Sequence, residues 1–173
     1  MKKIILFSVF ILPIFGFAQT RHEVKLNILN TIVHASVEVG YEYFTSSSSS
    51  IGLDVLINDR FSYYPEDPDE GKEFNTNSVQ LSYNFYFSEG QGYYVSPFVK
   101  YRFGDFEEVD KGVKTVTDMD SFILGLGVGY EWVWNDQFAF GPYANIARNF
   151  SEEVNDEFAS IELNGGIWIG YRF

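Results

Sequence analysis

Nine charged residues sit among small and polar neighbours on one side of an alternating pattern. They are Lys25, Glu38, Glu42, Asp54, Lys100, Arg102, Glu131, Glu162 and Arg172. Successive side chains of a β-strand point to opposite faces, so in strands these charges share the face opposite the apolar one. Charges gathered in a confined interior must pair or stay hydrated, because an isolated buried charge is very costly. The resulting chemistry is either a network that plugs the interior or a lining that selects ions.

Two further groups of residues have the types needed for chemistry. His34 and Ser36 form a His-x-Ser pair. On a strand they share a face, and the imidazole activates the hydroxyl if a carboxylate orients it. The pair stands beside a bend, and an ordinary loop-end histidine is the reading adopted. Asp67, Asp69 and Glu70 offer oxygen donors for a divalent cation, but their spacing is not that of an EF-hand loop. A solvated acidic surface is the simpler reading. No catalytic residue, metal site or cofactor is therefore expected.

The charges need strands to position them, and the pattern supplies eight. The clearest is Ile161–Phe173. Ile161, Leu163, Ile167, Ile169, Tyr171 and Phe173 alternate with Glu162, Asn164, Gly166, Trp168, Gly170 and Arg172. The same period of two recurs around 23–33, 37–43, 51–57, 78–87, 93–103, 122–134 and 138–146. Pro97, inside the fifth stretch, has no amide hydrogen and requires a bulge or a locally missing ladder bond. Ser46 to Ser50 reads as a flexible connection. After the first bend at 30–34, short links near 45–50, 88–92 and 135–136 alternate with long acidic ones at 59–75, 104–120 and 149–158.

The chain has 173 residues, no cysteine, 18 Phe and 12 Tyr, and a net charge of −12. Disulfides and thiolate metal sites are excluded, and so acidic a chain is a poor nucleic-acid binder. Residues 1–18 read as a secretory signal peptide. Lys2 and Lys3 precede the apolar run Ile4 to Ala18, which ends on the small-x-small pattern Gly16-Phe17-Ala18. Residues 19–173 then form one domain. Its ten basic residues face 24 acidic ones.

Three features put the apolar face outside. Packed inward, the aromatic side chains exceed the volume of an eight-stranded interior. The opposite face is rich in Gly, Ser and Asn, which fit that interior. Tyr41, Tyr43, Tyr83, Phe85, Tyr101, Trp132, Trp134, Phe138, Tyr171 and others gather near strand ends, as an interfacial girdle does. The expectation is an all-β, antiparallel, up-and-down transmembrane β-barrel with a side-chain-filled lumen. Its plain rim and elaborate rim match the loop asymmetry of outer-membrane barrels.

On the leader, the strand count, the loop asymmetry and the ending Gly170-Tyr171-Arg172-Phe173, the chain resembles the small eight-stranded outer-membrane β-barrel proteins of OmpX and OmpA type, with a Bacteroidota-like leader. The resemblance implies a cell outer-membrane location in a Gram-negative envelope, contact with lipid and lipopolysaccharide, and Tyr171 and Phe173 as the signal read by the assembly machinery. It specifies architecture well and activity poorly, since the family's members include adhesion, stability and lipid-modifying proteins. The expected role is structural or surface-interactive. The alternatives are a narrow porin-like solute or ion channel, a lipid-modifying enzyme, and a soluble periplasmic ligand-binding barrel.

Overall fold

The structure is a computed structural model that describes residues 21–34, 36–60, 71–110 and 112–173. The signal-peptide stretch and Asp67, Asp69 and Glu70 lie outside the described residues. The described chain is mostly strand: β1 (His22–Asn27), β2 (Val37–Ser46), β3 (Ser49–Ile57), β4 (Lys72–Ser88), β5 (Gln91–Asp110), β6 (Val113–Asp118), β7 (Ser121–Trp134), β8 (Phe138–Asn149) and β9 (Ile161–Arg172). Two short helices interrupt it, α1 (Ile28–His34) and α2 (Glu152–Glu157).

Eight of these strands close a ring. Each pairs antiparallel with its neighbours in the order β1-β2-β3-β4-β5-β7-β8-β9, and β9 returns to β1. The seam is finished by His22 and Phe173, whose backbone amides donate to each other's carbonyls at 3.2 and 2.9 Å. Closure leaves no free edge along the paired stretch, which is the usual solution to the edge-strand problem.

The faces separate as alternation demands. Val39, Leu53, Leu81, Leu126 and Ile169 are exposed on the outside, while Glu38, Ser82, Asn84, Ser96 and Arg102 are buried inside. The apolar face therefore points outward, around a largely polar and charged interior. Inside, three large rings each lie opposite a cross-strand glycine: Phe98 opposite Gly125, Tyr94 opposite Gly129, and Tyr143 opposite Gly166. A Cβ on Gly125 would collide with the Phe98 ring. Glycine there makes room for an aromatic side chain in a narrow lumen.

The structure corrects four local expectations. The first strand stops at Asn27 rather than running to 33. The Asn27 side chain accepts from the Asn30 backbone amide at 3.1 Å, an N-cap that starts α1. Above Trp168, β9 has lost its β1 partner, and α1 packs there instead. The Ser46–Ser50 stretch is a tight turn, with Thr45 and Ser46 hydroxyls bonded to Ser49. The stretch 104–120 is largely strand: β4, β5 and β6 run on together as a three-stranded extension of the wall. The stretch 149–158 holds α2, capped by the Ser151 hydroxyl. At Pro97 the β4–β5 ladder skips the two pairs between Ser82↔Phe98 and Phe85↔Val95 without changing register, a local loss of ladder bonds.

Candidate functional site: a charged lumen in three tiers

The nine expected lumen residues all lie on inward-facing positions, and eight of them are fully buried, with Asp54 half-buried. Parity in the strands brings them there. Two more acids join them. Glu23 on β1 is 0% exposed; it shares the parity of Lys25 and was legible from the same alternation. Asp59, just past β3, is 4% exposed and belonged by sequence to an acidic loop.

The lower tier sits at the rim of short turns. Lys25 Nζ lies 2.6 Å from both Glu42 and Glu131, and 3.5 Å from Glu23. Arg172 Nε donates to Glu23 at 2.6 Å, and its Nη2 donates to Glu131 and to the Gly90 carbonyl. The Arg172 guanidinium also stands 4.5 Å over the Phe44 ring. Glu42 accepts further bonds from Ser50 and Tyr86. These contacts tie β1, β2, β7 and β9 across the lumen.

The upper tier lies near the elaborate rim. Arg102 donates to Glu162 through both terminal nitrogens, at 3.0 and 2.7 Å, and to Asp59 through Nε at 3.1 Å. Lys100 lies 3.0 Å from Asp59 and 3.5 Å from Glu162. Burial disfavours ionised Asp59, but the positive charges of Lys100 and Arg102 and the Ser78 hydroxyl outweigh it and hold the carboxyl below the usual carboxylate range. Beyond this tier, Phe74, Phe106, Met119, Val154 and Phe158 form an apolar cluster that joins β4, β5, the β6–β7 link and α2.

The middle tier is different in kind. Glu38 accepts hydrogen bonds from Asn27, Asn30 and Tyr143, all neutral. Asp54 accepts one from Gln80 at 3.0 Å. Both line a polar cavity of about 50 Å³, space for a few waters by the usual measure.

His34 lies in α1, and its side chain is outside the described residues. Ser36 is buried, and its hydroxyl donates to the Ile57 carbonyl at 3.3 Å. Tyr171 faces outward on β9, paired with Val24 and Phe138, and Phe173 stacks on His22 with ring centroids 5.7 Å apart. The apolar cluster and Asp59 carried no sequence signal, because neither belongs to an alternating run.

Against known structures, the chain is similar to the N-terminal β-barrel domain of Pseudomonas aeruginosa OprF. The two share 16% identity at a TM-score of 0.51, over 90% of this chain and 98% of that one. The chain has that fold: a closed eight-stranded antiparallel barrel. Neisserial surface protein A (NspA) also aligns, at 9% identity and a TM-score of 0.48, over 88% of this chain and 93% of that one. No family model matches the sequence, and no curated protein does.

Proposed function

We propose that this chain is an integral outer-membrane β-barrel protein, exported by its signal peptide, with a lumen closed by side chains and acidic loops facing outward from the cell. One observation carries the reading: a continuous outer band of exposed Val, Leu and Ile side chains, with Tyr, Phe and Trp toward its ends, surrounds a charged interior. Water would make such a surface an aggregation site, whereas lipid makes it the favourable face. The wall supports the same reading. Where it is not strand it is α1, a helix, the other element that satisfies its own backbone polar groups in lipid. Ile32 on α1 is 81% exposed.

The role that fits is structural or interactive rather than catalytic. The partners are outer-membrane lipid and lipopolysaccharide around the band, and the assembly machinery acting on Tyr171 and Phe173. The acidic extensions would meet an extracellular partner. Fractionation tests the location: the protein should partition with outer membranes and resist extraction by salt and alkali.

A narrow ion channel is the second reading, favoured by the polar cavity in the middle tier. The cross-lumen ion pairs above and below it oppose steady flow. Planar-bilayer recording separates the two, since a plug gives no steady conductance and a channel gives unitary steps.

A further inference from the structure

We propose that α1 is a side door in the barrel wall, through which a small uncharged amphiphile dissolved in the membrane reaches the middle tier. This use of α1 presupposes the membrane location proposed above. The wall lacks a strand at this place. Above the pair Asn27↔Trp168, β9 has no β1 partner over residues 161–167, and above Leu26↔Val39 neither do Val37 and Glu38 of β2. His22 and Phe173 exchange both backbone bonds. Every second residue up β9 therefore turns its backbone groups to the β1 side, and Ile167, Gly165 and Leu163 turn theirs to the break. The Gly165 amide donates to the Asn164 side chain at 2.8 Å. A strand carried on past Asn27 would turn Leu29 into the polar lumen and Asn30 into lipid. The helix reverses both: Asn30 is buried, and Leu29 and Ile32 are exposed.

A latch of side chains holds α1 in the break. The helix has 7 residues, and one shorter than roughly 12–15 is marginal by itself. Asn27 Nδ2 donates to Glu38 at 2.7 Å and to the Tyr143 hydroxyl at 2.6 Å. Asn30 Nδ2 lies 3.2 Å from Glu38, 3.4 Å from the Tyr143 hydroxyl and 3.4 Å from Asn164 Oδ1. An amide nitrogen carries only two hydrogens, so Asn30 cannot serve all three at once. Its own Oδ1, also buried, has no donor among the described residues. The latch is therefore incomplete, and local opening begins at such weakly held segments.

Behind the latch lies the middle cavity of about 50 Å³, whose wall shares Glu38 and Tyr143 with it. The lower and upper ion-pair tiers close the lumen on either side of that cavity, which leaves the wall as the way in. In front of the latch, Leu29, Ile32, Ile161 and Leu163 are exposed on the outside. These surroundings define the entrant. Its tail stays against the apolar rim. Its head is limited to a few heavy atoms by the size of the cavity and meets amide groups such as Gln80, Asn84 and Asn145. The head is uncharged, because a charged one enters hydrocarbon only at high cost.

The test uses the barrel inserted in liposomes, with one thiol introduced by Asn145→Cys into a chain that has no cysteine. Asn145 pairs with Asn164 and lines the cavity. N-phenylmaleimide, uncharged and lipid-soluble, is compared with a methanethiosulfonate reagent that carries a sulfonate. Each rate is divided by the same reagent's rate on the urea-unfolded chain. The maleimide should label at least about tenfold faster than the charged reagent. Asn30→Ala strips the latch and should raise the maleimide rate. Leu29→Asn/Asn30→Leu restores the alternation, lets β1 run on against β9, and should lower that rate about tenfold. The heat-dependent gel shift of each variant shows an inserted barrel, so failure of the membrane reading appears in the gel and failure of the door in the labelling. If the double variant does not fold, the Asn30→Ala rate decides alone. A thiol that neither reagent reaches, equal labelling by both, or a maleimide rate that no folded variant moves would overturn the proposal. Equal labelling would mean that entry is through a rim.

Discussion

Arg102 on β5 and Glu162 on β9 are joined across the lumen by two parallel hydrogen bonds of 3.0 and 2.7 Å. Strands β7 and β8 separate them in the wall, so the pair spans the interior and does not merely bridge neighbours. Two-pronged bonding of this kind is specific to the planar guanidinium. Arg102→Ala leaves Asp59 and Glu162 buried with Lys100 alone. It should cost about 3–5 kcal/mol, read as a lower urea midpoint in detergent. Arg102→Lys should recover only part, because an ammonium cannot make both bonds.

The ring-on-glycine contacts give a steric prediction. Gly125→Ala pushes a methyl into the Phe98 ring and should destabilise by about 1–3 kcal/mol, the usual cost of overpacking. Phe98→Leu in the same chain should recover part of the loss. Equal loss in the single and double variants would mean that the contact is not the cause.

Asp59 carries a pH signature. Its folded carboxyl titrates below the ordinary value of about 4 for an aspartate, so its ion pairs stabilise the barrel fully above that value. The contribution is lost as pH falls from there toward the depressed folded value. The difference in melting temperature between the wild type and Asp59→Asn should therefore stay constant from neutral pH down to about 5 and shrink below about 4. A difference that grows with acidification would contradict the assignment.

The lower tier offers a fourth test. Glu131→Gln removes a carboxylate that both Lys25 and Arg172 contact. Arg172 also bonds Glu23, so the rim should loosen without unfolding. Planar-bilayer recordings should show brief openings in this variant that are rarer in the wild type, and no such change in Lys114→Ala, whose ion pair with Glu107 lies out on the β5–β6 extension.

Strand parity carried most of the fold. It placed Lys25, Glu38, Arg102 and Glu162 on one face without knowledge of any contact, because a period of two depends on backbone geometry alone. Glu23 was legible by the same rule but sits before the first apolar residue, Val24. The helix α1 was harder. Val24, Leu26 and Ile28 continue the alternation past the point where Asn27 caps a helix, and only the Asn27-to-Asn30 bond reveals the change. Asp59 and the Phe74–Phe158 cluster depend on distant strands meeting, which no local pattern encodes.

The central claim is a closed barrel with its apolar face in lipid. The most direct measurement is gel mobility of the outer-membrane fraction in SDS, with and without boiling. A barrel whose backbone bonds are satisfied internally stays folded in cold detergent. The account predicts a heat-dependent shift of protein recovered from that fraction. Protein found wholly in the soluble periplasmic fraction, with one mobility before and after boiling, would contradict it.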